Sequence, residues 1–297
     1  MNQFKFLKNK NNFLGIKNSN EAASKVYVVP YGLEKTVSYG TGTSLGPEKI
    51  LKASRQIELY DIELGIEPSA ILSPKTLEVK EIPSSHVSAL IKLQNIVKLI
   101  VSCKKFPIVI GGEHSITPAC IEPLLEKNKS LTIVQFDAHA DLRDKYQGKK
   151  NSHACSMRRC LDNENLNLIS IGVRSISNEE YIFYKNNKKR IEIFWAKDAS
   201  NWDLKKLKKL LKNKNVYISF DVDALDPSLM PATGTPEPNG LCWDHAINLI
   251  KLICKNSKVL GADINEFSPI KSNVSCDFIV AKLVYKIMSY SLLKNIL

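Results

Sequence analysis

The chain has 297 residues, 44% of them apolar and 24% charged, enough for one large or two smaller globular domains. No run approaches about 18 uninterrupted apolar residues, which excludes a membrane-spanning helix. A formal charge of +12 does not make it a nucleic-acid binder: only 6 of its 42 basic residues are arginine, and no arginine cluster or set of stacking aromatics forms a module.

Residues 1–24 are rich in lysine and asparagine and lack the apolar stretch of a secretory signal. They read as a poorly ordered arm, or a short cap on the domain edge, ahead of a single domain over 25–297. Residues 26–30 (VYVVP) predict a first buried strand, followed by a glycine-rich loop and a helix opening at Gly46-Pro47. Residues 85–103 predict a long apolar helix. Strands are then expected at 107–111, 131–136, 168–173, 191–194, 216–220 and 258–264. Helices are expected near 116–127, 178–187, 203–212, 243–255 and 275–293. The lysine run 205–212 fits an amphipathic helix with a solvated face. Strands that are apolar on both faces and alternate with helices predict a three-layer α/β/α sandwich around a mostly parallel sheet. Seven cysteines, an odd number with no Cys-x-x-Cys pair, fit reduced thiols in a cytoplasmic protein.

Three of the predicted strands end in metal-ligand chemistry. Residues 134–136 run into Asp137-Ala138-His139-Ala140-Asp141. In an extended strand end, residues i, i+2 and i+4 project to one side, so Asp137, His139 and Asp141 converge. Asp221 and Asp223 repeat the alternation after 217–220, and His114 follows 107–112. Converging carboxylates need a compensating positive charge, and a divalent metal supplies it. Taken singly, each motif has a structural explanation: a capping aspartate, a buried histidine, a tight strand exit. Their joint occurrence favours a metal cluster in the crevice beyond the carboxyl ends of a parallel sheet. Four carboxylates and two imidazoles are too many for one tetrahedral zinc and suit two metals. The oxygen-rich set leans toward manganese, with nickel, iron or cobalt as alternatives.

Gly-Gly-Glu-His-Ser (111–115), Asp-Ala-His-Ala-Asp (137–141) and Ser-Phe-Asp-Val-Asp-Ala-Leu-Asp-Pro (219–227) resemble the signature motifs of the ureohydrolase family of arginases and agmatinases. The resemblance spans nearly the whole chain. It implies an arginase-like α/β/α fold and a dimanganese pair bridged by Asp137 and Asp221. His114 and Asp141 would complete one site, and His139 and Asp223 the other. It further implies hydrolysis of a guanidinium to urea and an amine, with Asp141 passing a proton to the leaving amine. Glu266, in Gly-Ala-Asp-Ile-Asn-Glu-Phe-Ser-Pro (261–269), would grip the guanidinium, although Phe-Ser replaces the more familiar Val-Asn after it. His153, in Asn-Ser-His-Ala (151–154), would be an exposed proton shuttle. The loop 232–236 would line the pocket, and its continuation has Asn239 where glycine is commoner. The five carboxylates outweigh two dications, so the crevice can attract a cation that the whole chain repels.

The segment 142–153 is similar to the agmatinase pattern, so agmatine is the expected substrate. Guanidinobutyrate follows, with Lys145, Lys149 or Lys150 as a partner for its carboxylate, and arginine after that. A homo-oligomer, trimer or hexamer, is implied by the same likeness; neither membrane nor nucleic acid is expected as a partner. A dimetal phosphoesterase lacks support because its Gly-Asn-His-Glu/Asp segment is missing. A non-catalytic relative would have lost ligands, and all six are present.

Overall fold

The computed structural model describes residues 4–17 and 21–297. Among them, eight strands form one sheet: β1 (Val26–Tyr31), β2 (Lys75–Thr76), β3 (Phe106–Gly111), β4 (Leu131–Phe136), β5 (Leu166–Val173), β6 (Ile191–Trp195), β7 (Asn215–Asp221) and β8 (Lys258–Asn265). All pairings are parallel, in the order β2-β1-β3-β8-β7-β4-β5-β6. The helices are α1 (Gly46–Ser54), α2 (Pro68–Leu72), α3 (His86–Ser102), α4 (Thr117–Leu125), α5 (Ser156–Leu161), α6 (Asn178–Asn186), α7 (Leu204–Leu211), α8 (Trp243–Asn256) and α9 (Ser275–Leu292).

The two-residue repeat of the strands builds two cores. Val26, Val28, Ile108, Ile110, Val134 and Phe136 face α1, α7, α8 and α9 on one side. Tyr27, Val29, Val109, Leu131 and Ile133 face α3, α4 and α5 on the other. The expected three-layer sandwich is what the chain forms. In α7 the lysine face is solvated, as its spacing predicts: Leu207 and Leu211 are buried while Lys205, Lys206, Lys208 and Lys209 are exposed.

Of the two readings of the N-terminal segment, an arm or a short cap, its described residues take the packed form. Phe6 bridges Leu77, the Leu7 amide donates to the Thr76 carbonyl at 2.9 Å, and Phe13 and Leu14 are buried. Its aromatic and aliphatic residues, few but regularly placed, cap the β2 edge of the sheet; the lysines around them stay in water. Residues 1–3 and 18–20 of that segment lie outside the described residues. No helix among the described residues is long and apolar enough to cross a membrane.

Candidate metal centre and substrate cavity

Four strands adjacent in the sheet, β3, β8, β7 and β4, deliver the functional side chains beyond their carboxyl ends. His114 follows β3, Glu266 follows β8, Asp221 ends β7 with Asp223 just past it, and Asp137, His139 and Asp141 follow β4. All six expected ligands meet. His114, Asp137 and Asp141 form one group able to hold a metal ion, and Asp137, His139 and Asp223 form a second, with Asp137 common to both. The sixth, Asp221, brings Oδ2 to 3.3 Å from His114 Nδ1.

The local geometry is not the strand alternation that the sequence suggests. β4 stops at Phe136, and Asp141 takes a left-handed backbone, φ +53°. Asp223 sits in a single 3₁₀ turn, Val222–Ala224, rather than in the strand. Loop hydrogen bonds do the aiming. The His139 amide donates to Asp137 Oδ1 (2.6 Å), the Ala138 amide to Asp223 Oδ1 (3.0 Å) and the Asp223 amide to Asp221 Oδ1 (3.0 Å). Gln135 Nε2 donates to the other Asp137 oxygen at 2.8 Å, and Ser170 Oγ holds Gln135 from behind.

His114 is oriented by a chain of groups. Its Nε2 faces Ser219 Oγ at 2.8 Å, and Ser219 Oγ donates to Asp263 Oδ1 at 2.7 Å. Because the serine proton goes to the aspartate, Ser219 accepts from Nε2–H, which leaves the Nδ1 lone pair pointing at the carboxylates. There Nδ1 lies 3.0–3.3 Å from Asp141, Asp137 and Asp221, yet none is aligned as a hydrogen bond. A buried nitrogen aimed at three carboxylates without a bond is the arrangement of a ligand.

The charge balance points the same way. Burial opposes charge on both histidines, but Asp137, Asp141 and Asp221 hold the His114 pKa well above its ordinary value. His139 is likewise pushed up to about 12, burial being outweighed by Asp223 and Asp137. Meanwhile burial, then the Asp223 and Asp137 charges, push Asp221 well above the carboxylate range; burial and Asp137 raise Asp141. Asp137 goes the other way: burial would raise it, but His114 and His139 hold it low. Two imidazoles drawn toward cations, with Asp221 and Asp141 drawn toward neutrality, mean that the protein's own groups leave negative charge unbalanced. Divalent cations fit this donor set.

Above the cluster lies a cavity of about 260 Å³, lined by Asp141, His139, Asp221, Asp223, Glu266, His153 and Thr235, with Arg143 and Tyr146 among the wall residues. Glu266, another left-handed residue (φ +60°), accepts the His114 amide at 2.7 Å and faces His153 Nδ1 at 3.3 Å. Burial lowers the His153 pKa but Glu266 more than offsets it, so the net shift is upward. His153 is not the exposed residue expected from its loop sequence: its side chain is 13% exposed and its amide donates to Thr36 Oγ1 at 2.9 Å. Thr36 is itself fixed by Glu113, which accepts the Lys35 and Thr36 amides and the Thr36 hydroxyl. Gly112 permits that packing, because a Cβ there would lie 2.1 Å from the Leu33 carbonyl oxygen.

The two departures from the ureohydrolase pattern are accommodated. Phe267 is buried and Ser268 donates to the Thr41 carbonyl, so neither lines the cavity. Asn239 adopts φ +67°, a conformation that asparagine tolerates better than most residues. Lys145, Lys149 and Lys150 are exposed and none lines the cavity.

The Arginase family profile matches residues 24–289. The chain belongs to the arginase family. Within it, N(1)-aminopropylagmatine ureohydrolase of Synechocystis sp. is 36% identical over 278 residues, covering 91% of this chain and 90% of that protein. Agmatinase of Pyrococcus horikoshii is 33% identical over 265 residues, covering 86% and 88%. The solved agmatine ureohydrolase of Thermoplasma volcanium superposes with a TM-score of 0.82 at 32% identity, covering 92% of each chain. Sequence reasoning did not single out Ser219, Asp263 or Gln135 as supports. The signal was available: each is a polar side chain inside an otherwise apolar strand.

Proposed function

We propose that this arginase-family hydrolase cleaves the guanidinium of an unbranched guanidino-amine, with agmatine giving putrescine and urea. The observation that carries the reading is the meeting of six ligand side chains beneath a cavity whose other wall presents Glu266. His114 and Asp141 would hold one ion and His139 and Asp223 the other, with Asp137 and Asp221 between them. When bound, two manganese ions supply an activated water and stabilise developing negative charge.

The chain's own residues do the rest. Glu266 accepts the planar guanidinium through a charge-assisted fork and so sets the carbon over the cluster. Because Glu266 now faces His153, the arriving guanidinium shares or displaces that contact. Asp141 lies in the cavity floor, where it can take a proton and hand it to the leaving nitrogen. His153, in the cavity wall, takes up the surplus proton and passes it on. An amine substrate is favoured over a guanidino acid because the three loop lysines that could pair with a carboxylate stay outside the cavity, and Arg143 in its wall already faces Glu180 at 3.7 Å.

The Synechocystis relative supports a second reading, N(1)-aminopropylagmatine, which the sequence reading did not include. Urea release by manganese-loaded enzyme from agmatine, N(1)-aminopropylagmatine, arginine and guanidinobutyrate separates these. The highest kcat/KM should fall on one of the first two, and a chelator should abolish it. A preference for arginine or guanidinobutyrate would defeat the substrate assignment. A cytoplasmic location fits seven free thiols, and self-association fits the exposed Tyr60, Ile62, Val274 and Phe278, checked by light scattering.

A further inference from the structure

Arg174 lies just past β5, and every hydrogen bond of its side chain goes to a main-chain carbonyl. Nη2 reaches the Asp223 and Glu237 carbonyls, each at 2.7 Å, and Leu225 at 3.4 Å. Nε reaches Pro238 at 2.9 Å and Glu237 at 3.2 Å; Nη1 reaches Gly172 at 3.2 Å and Ala224 at 3.5 Å. One guanidinium thus gathers six carbonyls from three separate segments. Its own amide donates to the Ala138 carbonyl at 2.8 Å, and the Ala138 amide donates to the Asp223 carboxylate. The guanidinium therefore braces the Asp223 turn, while the main-chain amide of Arg174 holds the Asp137–His139 segment; since Asp137 belongs to both ligand groups, the side chain's selective hold is on Asp223. Its hydrogen bonds do not reach His114 or Asp141 of the other group.

The turn that carries Asp223 is only three residues long, too short to hold its own shape. Six converging carbonyl dipoles repel one another unless a cation sits among them. A flat fork with five donors can span them, while a lysine ammonium is a compact point charge with three. We infer that Arg174 is a positioning residue for the ion held by Asp137, His139 and Asp223, and not for the ion held with His114. The inference rests on the two-metal reading proposed above.

Equilibrium dialysis of chelator-stripped protein against Mn²⁺, with thermal unfolding alongside, tests it. Wild type should bind two ions per chain. Arg174→Lys should keep one at wild-type affinity and bind the other about 10–100-fold more weakly, the usual cost of losing an outer-shell partner. Asp223→Asn should weaken the same ion, and the loss in Arg174→Lys activity should recover at high Mn²⁺. Unchanged binding in Arg174→Lys, while wild type binds two ions, overturns the inference alone. Parallel weakening of both ions, or a variant that does not fold with Mn²⁺ present, also overturns it by making Arg174 a general structural residue. A wild type that binds fewer than two ions sinks the two-metal reading and this inference with it.

Discussion

Asp137 serves two neighbours at once: it stands 3.1 Å from His114 Nδ1 through one oxygen and 3.6 Å from His139 Nδ1 through the other. Both oxygens also accept hydrogen bonds, from Gln135 and from the His139 amide. An amide in its place would keep the shape but present an NH₂ toward one histidine. Asp137→Asn should therefore lose activity by several orders of magnitude while circular dichroism reports an intact fold. His153→Ala makes the instructive contrast. It removes the ring beside Glu266 but no ligand, so turnover should fall about 10²–10⁴-fold, the range of a lost proton-transfer group, with metal content unchanged. Metal loss in His153→Ala would make it a ligand, and turnover retained in Asp137→Asn would dismiss the shared carboxylate.

At the scale of elements, the N-terminal cap is the segment most easily misjudged. Phe13 is fully buried and its amide donates to Thr76 Oγ1 at 2.8 Å, so it joins the cap to β2. Phe13→Ala should cost about 3–5 kcal/mol, as truncating a buried aromatic usually does, measured as a drop in the urea midpoint. A loss under about 0.5 kcal/mol, the range of a neutral surface change, would show that the cap contributes little. The sequence left the cap open as one of two readings, while β2, α2 and α5 escaped it for one reason. Two to six residues carry too little periodicity to announce a strand or helix, and tertiary contacts such as Leu77 N to the Val28 carbonyl define them. The long strands were legible because both faces are buried, which demands continuous apolar runs. The convergence of the six candidate ligands was legible because they cluster past those runs, although the loop turns that aim Asp141 and Asp223 left no trace in their spacing. Arg174 was invisible, since nothing in sequence says that distant carbonyls will gather around it.

At the scale of the whole molecule, one polar cluster away from the cavity joins three parts of the chain. Glu63 accepts from Lys251 of α8 at 2.6 Å, from Lys286 of α9 at 2.8 Å and from the Tyr290 hydroxyl, while Lys286 also pairs with buried Asp61 at 2.9 Å. Burial works against a charged Glu63, but Lys251, Lys286 and Tyr290 prevail and lower its pKa from 4.5 to about 2. A folded-state pKa below the unfolded one means that protonation favours unfolding. The stabilisation from Glu63 is thus complete above pH 4.5 and disappears as pH falls through about 2. Other groups also titrate in acid, so the useful quantity is the difference between wild type and Glu63→Gln. Urea midpoints should favour wild type at pH 6, and that advantage should shrink steadily between pH 4.5 and 2. Partial exposure of Glu63 and salt screening keep the advantage modest. A difference that stays constant across that window would mean that the cluster holds α8 and α9 by packing, with the Glu63 charge contributing nothing.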